Sequence, residues 1–111
     1  MKATIWHNPR CGTSREALAL LQEAGVEVTV VDYLRDPPTP DALKRLYARA
    51  GITPGQGLRR KEAAAADLAT ASDEEIIDAM MLNPTLIERP LVETDKGVIL
   101  ARPAERVRDI L

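Results

Sequence analysis

A nine-residue segment near the start of the chain, HNPRCGTSR, carries the residue types that could do chemistry. It contains the only histidine and the only cysteine of the protein, His7 and Cys11. Cys11 lies in a polar loop where a predicted strand leads into a predicted helix, with Arg10 and Arg15 close by. The N–H groups at a helix N-terminus and nearby guanidinium groups both favour a thiolate. The segment therefore predicts a nucleophilic Cys11 with a pKa below the value of about 8.5 that is usual for a free thiol.

Other residues of this segment can support the thiolate or its target. His7, as a cation or as a hydrogen-bond donor, would stabilise the sulfur, although a histidine beside Trp6 is equally typical of a packed, structural residue. Ser14 is predicted to cap the following helix, and its hydroxyl could also hydrogen-bond to the sulfur. The turn formed by Gly12 and Thr13 presents amides that can cradle an oxyanion.

The spacing of the segment excludes two common uses of a reactive cysteine. A dithiol redox motif would place a second cysteine at position 14, where this chain has Ser14. A phosphatase-type C-x5-R loop would place an arginine at position 17, where this chain has Ala17. Because Cys11 is the only thiol, the protein needs an external thiol to complete a redox cycle.

The composition limits the possible partners and locations. The chain has 111 residues, 45% of them hydrophobic and 29% charged, which predicts one domain over residues 1–111. Its formal net charge is −2, from 15 Lys and Arg against 17 Asp and Glu, which argues against a general nucleic-acid or membrane-surface binder. A single cysteine, no signal-like segment and no membrane-length apolar run favour a reducing, cytoplasmic location. Nothing in the sequence suggests more than a monomer.

The hydrophobic periodicity predicts a βαβ unit around the reactive segment. A first strand ends near Trp6, and apolar residues between Ala17 and Ala24 line one face of a helix that stops at Gly25. Alternating valines from Val26 onward mark a second strand. Two strands joined by a helix within about thirty residues pair in parallel.

The remainder of the chain predicts helices followed by a hairpin. Capping signals at Thr39 and Ser72 start two helices within a helical region of about 39–83. Two short strands flank a turn at Gly97, and Pro103 opens a last helix. This order predicts an α/β, thioredoxin-like fold with a mixed four-stranded sheet (βαβ…ββα) and a helical insertion between strands 2 and 3.

Three arginines lie where this fold would bring them towards Cys11. Arg59 belongs to a basic cluster after a glycine-bearing loop. Arg89 precedes a proline at the start of the third predicted strand, and Arg102 precedes a proline at the end of the fourth. In a thioredoxin-like fold, the segment before the third strand approaches the active-site loop. Each guanidinium offers a planar fork of donors, so several of them beside a thiolate predict a site for a tetrahedral oxyanion.

Five segments of the sequence are similar to segments of one known family, in the same order: HNPRCGTSR, DYLRDPP, LRRKE, NPTLIERPLV and RPAERVRDIL. By these segments the chain resembles the glutaredoxin-coupled arsenate reductases in their short form, over nearly its whole length. The resemblance implies a nucleophile, two residues that stabilise its thiolate and three arginines that bind the oxyanion, which are Cys11, His7 and Ser14, and Arg59, Arg89 and Arg102 respectively.

The resemblance also implies a reaction in three stages. The Cys11 thiolate attacks arsenate and forms a thiol–arsenate ester, with its charge balanced by the arginines. Glutathione then attacks as a co-substrate, so that As(V) is reduced to As(III) and a mixed adduct is left. Glutaredoxin removes the glutathione, and arsenite is released. No metal and no bound cofactor are needed, and the missing second cysteine suits this use of an external thiol.

Two other functions fit parts of the sequence. A glutathione-dependent reductase of another substrate would use the same Cys11, with the arginines binding glutathione carboxylates. A Spx-like regulator would share the fold and bind RNA polymerase instead of a substrate. Such regulators often carry C-x-x-C, where this chain has Ser14, and their binding role does not require three oxyanion arginines. The arsenate reductase interpretation therefore accounts for more of the sequence than either alternative.

Overall fold

Four strands form one mixed sheet in the computed structural model, which describes residues 1–111. In chain order they are β1 (Lys2–His7), β2 (Glu27–Asp32), β3 (Leu91–Thr94) and β4 (Gly97–Leu100). Their spatial order is β2–β1–β3–β4. β2 runs parallel to β1, whereas β3 is antiparallel to β1 and β4 is antiparallel to β3. The predicted α/β, thioredoxin-like fold is confirmed.

Three α-helices and three short 3₁₀ helices accompany the sheet. The α-helices are α1 (Gly12–Glu23), α2 (Pro40–Ala50) and α3 (Asp73–Leu82), and the 3₁₀ helices are Ala63–Leu68, Pro84–Leu86 and Ala104–Ile110. The helix predicted after Pro103 is thus a 3₁₀ helix of seven residues, which is long for this form. No helix in the structure combines the length and the apolar character that crossing a bilayer requires.

Local capping chemistry sets the bounds of α2 and α3 as the sequence predicts. The Thr39 hydroxyl accepts a hydrogen bond of 3.2 Å from the N–H of Ala42 at the start of α2. Gly51 ends that helix in the left-handed region, at φ 69°, where glycine has no steric penalty. Ser72 and Glu75 form a reciprocal capping box at the start of α3.

The two faces of the sheet carry separate cores. Because strand side chains alternate between faces, Ile5 packs on the α1 side and the neighbouring Trp6 on the α2–α3 side. On the α1 side, Ala17 and Leu21 are fully buried, and burying a leucine stabilises the fold by about 1.5–3 kcal/mol. This packing anchors α1 on the sheet and so fixes the loop that leads into it.

The strand directions bring three chain segments together at one edge of the sheet. The carboxyl end of β1 lies beside the start of β3, with Trp6 paired to Leu91, and Leu91 is paired to Leu100 at the end of β4. The loop after β1, the segment before β3 and the segment after β4 therefore meet. The peptide bonds Arg89–Pro90 and Arg102–Pro103 in the latter two segments are both cis.

Candidate active site

Cys11 occupies the N-cap position of α1. Its backbone is extended, with φ −92° and ψ 121°, and its carbonyl accepts the first helical hydrogen bond, from the N–H of Arg15 at 3.0 Å. The side chain is partly exposed and makes no capping hydrogen bond. The sulfur is thus presented at the positive end of the helix dipole, as predicted.

Ser14 lies inside α1 and is completely buried, so the prediction that it caps the helix is wrong. Its Oγ accepts a hydrogen bond of 3.1 Å from the N–H of Asn8 and lies 2.7 Å from Nδ1 of His7. The hydroxyl turns inward because these partners, at the end of β1 and just after it, satisfy it there. The group that contacts the Cys11 sulfur is the backbone N–H of Ser14, and no hydrogen bond joins its hydroxyl to the sulfur.

The pKa of the Cys11 thiol is lowered, which confirms the predicted direction. Burial by itself raises this pKa, but hydrogen bonds from the Ser14 N–H and from the side chains of Arg89 and Arg102 outweigh the effect of burial. The flanking arginines were predicted to act on the thiolate, yet Arg15 donates to the carbonyl of Pro9 at 2.8 Å. The stabilising charge therefore comes mainly from two arginines that are distant in sequence.

His7 is buried at the end of β1, and this burial lowers its pKa. The nearby Asp32 carboxylate partly offsets the effect, and Arg15 adds to it. The lowered pKa favours the neutral imidazole at neutral pH over the cation that was one expectation for His7, and the hydrogen bond of its Nδ1 is to Ser14 and not to the sulfur, which was the other expectation. Its hydrogen bond to Ser14 ties the end of β1 to the first turn of α1, which makes His7 a residue that positions the cysteine loop.

The protonation of His7 can be measured directly because it is the only histidine. We expect its Hε1 resonance in NMR spectra to titrate with a midpoint below the ordinary pKa of 6.5. As the pH falls, the unfolded chain takes up this proton first, so the group contributes stability above about pH 6.5 that is lost at lower pH. A midpoint above 6.5 would show instead that the imidazole is held as a cation.

Arg102 and Arg89 form the wall of the site next to the thiol. Nη1 of Arg102 lies 3.8 Å from Sγ of Cys11 and donates a hydrogen bond of 2.9 Å to the carbonyl of Arg89. The side chain of Arg89 is buried, and its Nη1 lies 3.4 Å from the carbonyl of Thr85. Its Nε is buried without a hydrogen-bond partner. Two guanidinium groups thus flank the sulfur, and one retains an unused donor.

Arg59 reaches the same cluster from the other side. Backbone hydrogen bonds join the N–H of Arg59 to the carbonyl of Leu86 at 2.7 Å, and the N–H of Glu88 to the carbonyl of Gly57 at 2.8 Å. Position 57 requires glycine, since a Cβ there would lie 2.5 Å from the ring of Tyr47. No hydrogen bond joins Arg59 to the sulfur. Its Nε is buried and makes no hydrogen bond, but it lies 3.6 Å from the Glu62 carboxylate.

Arg59, and not its neighbour Arg60, belongs to the site. Nη1 of Arg59 donates a hydrogen bond of 2.9 Å to Glu88, which also pairs with Arg102 at 3.8 Å. Arg60 is exposed and points to the carbonyl of Gly55 at 3.3 Å. The structure therefore brings together the three arginines that the sequence singled out: the Glu88 carboxylate pairs with the side chains of Arg59 and Arg102 and accepts a hydrogen bond from the backbone N–H of Arg89.

Two residues of this cluster were missed by the sequence reasoning. Glu88 places a carboxylate between Arg59 and Arg102. Its position next to Arg89 in the sequence could have indicated that it lies at the site. Tyr33 is buried and its hydroxyl lies 3.4 Å from the carbonyl of Ile87. Burial raises the pKa of Tyr33, while the nearby Arg89 guanidinium opposes the rise. Tyr33 directly follows β2, and β2 is parallel to β1, so the two strands end at the same edge of the sheet. That position could have indicated that Tyr33 lies near the site.

Gly12 and Thr13 are the first two residues of α1. The N–H groups of a first helical turn have no acceptor within the helix. These two amides are therefore free of intrahelical bonds, as an oxyanion cradle requires, and their role in binding stays a prediction.

The site is an open cluster of donors and not an enclosed cavity. One cavity of about 290 Å³ lies between α2 and α3, and another of about 320 Å³ lies beside β1 and β3. Neither is lined by Cys11 or by the three arginines of the cluster. No group of three or more His, Cys, Asp and Glu side chains is placed to hold a metal ion. The partly exposed thiol and the guanidinium groups beside it suit a small anion.

Comparison with known proteins places the chain in a family. Residues 6–110 match the model of the ArsC family. The chain belongs to the ArsC family. An arsenate reductase of Rhizobium meliloti (strain 1021) is 48% identical over 115 residues, covering 100% of this chain and 82% of that protein. An arsenate reductase of Escherichia coli (strain K12) is 43% identical over 112 residues, covering 97% of this chain and 79% of that protein.

Solved structures show the same ArsC architecture. An arsenate reductase from Vibrio cholerae has a TM-score of 0.93 to this chain at 39% identity, with 100% of this chain and 98% of that one covered. The predicted family and fold are thus confirmed.

Proposed function

We propose that this ArsC-family chain is an arsenate reductase that works through a Cys11 thiolate. The observation that carries the proposal is the contact of a thiol of lowered pKa with Arg102, at 3.8 Å, and with the side chain of Arg89. A nucleophile and the donors for a tetrahedral anion are thereby in one place. The relatives named arsenate reductase, at 43–48% identity over nearly the whole chain, support the same substrate.

Each site residue has a defined task in this proposal. The Cys11 sulfur attacks the arsenic atom, and the Ser14 N–H keeps that sulfur ionised. His7 and the Ser14 hydroxyl position the loop that carries the nucleophile. The anion is bound by guanidinium groups and by free amides, namely those of Arg59, Arg89, Arg102, Gly12 and Thr13.

The electron balance of the reaction requires a second thiol. Reduction of arsenate to arsenite transfers two electrons to arsenic and releases one oxygen as water, while two thiols become one disulfide. Cys11 supplies one of these thiols, and the chain has no other. Glutathione is the proposed co-substrate, and glutaredoxin then reduces the mixed disulfide by thiol–disulfide exchange. A monomer in the reducing cytoplasm suits this cycle, because such a compartment keeps the thiols reduced.

The proposal is tested by arsenate-dependent oxidation of NADPH in a mixture of the protein, glutathione, glutathione reductase and glutaredoxin. We expect turnover in the complete mixture and a return to the background rate when arsenate, glutathione or glutaredoxin is left out. Turnover with another disulfide or oxyanion but none with arsenate would favour a glutathione-dependent reductase of a different substrate. Absence of turnover with every substrate would favour a binding role such as that of a Spx-like regulator.

A further inference from the structure

We propose that Glu88 is an internal anion that competes with the oxyanion substrate for Arg59 and Arg102, and so sets the affinity of the site. This inference rests on the proposed function in that it assumes an oxyanion binds at these arginines. It assigns control of anion affinity to a carboxylate that takes no part in the proposed reaction.

The geometry places Glu88 on the donors that an oxyanion would use. Its Oε1 accepts hydrogen bonds from Nη1 of Arg59 at 2.9 Å and from the N–H of Arg89 at 3.3 Å. The same oxygen lies 3.8 Å from Nη1 of Arg102. That nitrogen is also 3.8 Å from the sulfur of Cys11. An oxyanion attached to the sulfur is therefore within reach of a guanidinium that Glu88 already pairs.

The surroundings make this competition strong. The side chain of Glu88 is only 18% exposed, and those of Arg59 and Arg102 are 17% and 30% exposed. Charges that are largely shielded from water interact more strongly than charges on an open surface. The negative charge of Glu88 repels a second anion at the same arginines. Removal of that charge should therefore strengthen the binding of the oxyanion.

The arginines nevertheless retain donors for a ligand. Nε of Arg89 is buried and has no hydrogen-bond partner, and buried donors without partners are rare in folded proteins. Nε of Arg59 is also buried and makes no hydrogen bond, but it lies 3.6 Å from Oε1 of Glu62. The carboxylates of Glu88 and Glu62 and the Cys11 thiolate together offset the three arginine charges, so removal of the Glu88 charge leaves one positive charge for the substrate. Glu88 thus lowers the affinity of the site for anions without occupying every donor of the site.

The test compares Glu88→Gln with a control that matches it closely. Glu93 on β3 is also 18% exposed and also pairs with two arginines, Arg45 and Arg49, but lies outside the site. Sulfate, a tetrahedral dianion, serves as the probe, and its dissociation constant is measured from the protection of Cys11 against iodoacetamide. We expect sulfate to bind about tenfold more tightly to the Glu88→Gln protein, equivalent to about 1.4 kcal/mol. The Glu93→Gln protein is expected to bind it as the wild type does.

Two results with the Glu88→Gln protein would overturn the inference. An unchanged sulfate affinity in Glu88→Gln would show that the carboxylate does not compete, and a weaker affinity would show that it holds the arginines in place for the substrate. If that variant fails to fold, the wild-type protein supplies the answer. Saturation with sulfate must then shift the side-chain carboxyl carbon resonance of Glu88, and an unmoved resonance counts against competition.

The outcome is separable from the proposed function. Sulfate binding needs no arsenate, glutathione or glutaredoxin, so the affinity difference can be present even if the protein fails to reduce arsenate. Conversely, the wild type and the Glu88→Gln protein could bind sulfate equally well while the wild type reduces arsenate. That result would leave the proposed function standing and would remove this role of Glu88.

Discussion

Replacing Cys11 with serine is expected to lower arsenate turnover by at least about 10⁴-fold, because the alcohol is not ionised at neutral pH and no other thiol exists in the chain. The fold should survive. The cysteine side chain is partly exposed and belongs to neither core, so we expect the free energy of unfolding to change by less than about 0.5 kcal/mol. The measurements are NADPH oxidation in the coupled assay and thermal unfolding followed by circular dichroism.

The serine variant also separates chemistry from binding. It retains the amide of position 14 and all three arginines, so it should still bind sulfate. Retained arsenate turnover in this variant would contradict the nucleophilic role of Cys11. A loss of turnover accompanied by a lowered unfolding temperature would instead make the cysteine a structural residue.

Replacing Arg102 with alanine is expected to damage both the nucleophile and the binding of the anion. Arg102 contributes to the lowered pKa of Cys11, so its loss should raise that pKa and slow alkylation at neutral pH. In addition, Arg102 donates hydrogen bonds to the anion, and loss of one donor to the charge that develops in a transition state lowers the rate by about 10²–10³-fold. We therefore expect kcat/KM for arsenate to fall by more than the rate of Cys11 alkylation. The two rates are measured across pH on the same preparation.

Two further variants define what the Arg102 result means. Arg106 is an exposed arginine that lies 3.4 Å from the carbonyl of Leu100 and does not touch the site, so Arg106→Ala should leave both rates unchanged. Arg102→Lys keeps the charge but not the planar fork, so it should keep more of the alkylation rate than of kcat/KM. Equal losses of the two rates in Arg102→Ala would make Arg102 an activator of the thiol and not a ligand of the anion.

Much of the fold was predictable because its signals are local. The alternation of valines in β2, the Thr39 and Ser72 caps and the glycine at the end of α2 each depend on residues within one turn or one strand. Local signals did not settle the form of the short helices. Ala63–Leu68, an alanine-rich segment within the predicted helical region, and the last helix, Ala104–Ile110, are 3₁₀ helices, a form that depends on how these segments pack against the rest of the fold.

The site was predictable in its residue types more than in its contacts. Cys11 stood out because a thiol beside a glycine and arginines at a strand-to-helix junction suits few structural roles. The role of Ser14 could not be predicted, since the partner that turns its hydroxyl inward, His7, is seven residues away and is reached only once the loop is folded. The sharing of Glu88 by Arg59 and Arg102 depends on partners that lie 29 residues before Glu88 and 14 residues after it.

The most direct test of this account is the amount of arsenite formed per molecule of protein. The wild-type chain is incubated with arsenate, glutathione and glutaredoxin, and arsenite is separated from arsenate and quantified. The account predicts many molecules of arsenite per chain, and none above the background when Cys11 is replaced by serine. Arsenate that stays unreduced, while Cys11 is still alkylated rapidly at neutral pH, would contradict it and leave an activated thiol that serves another substrate.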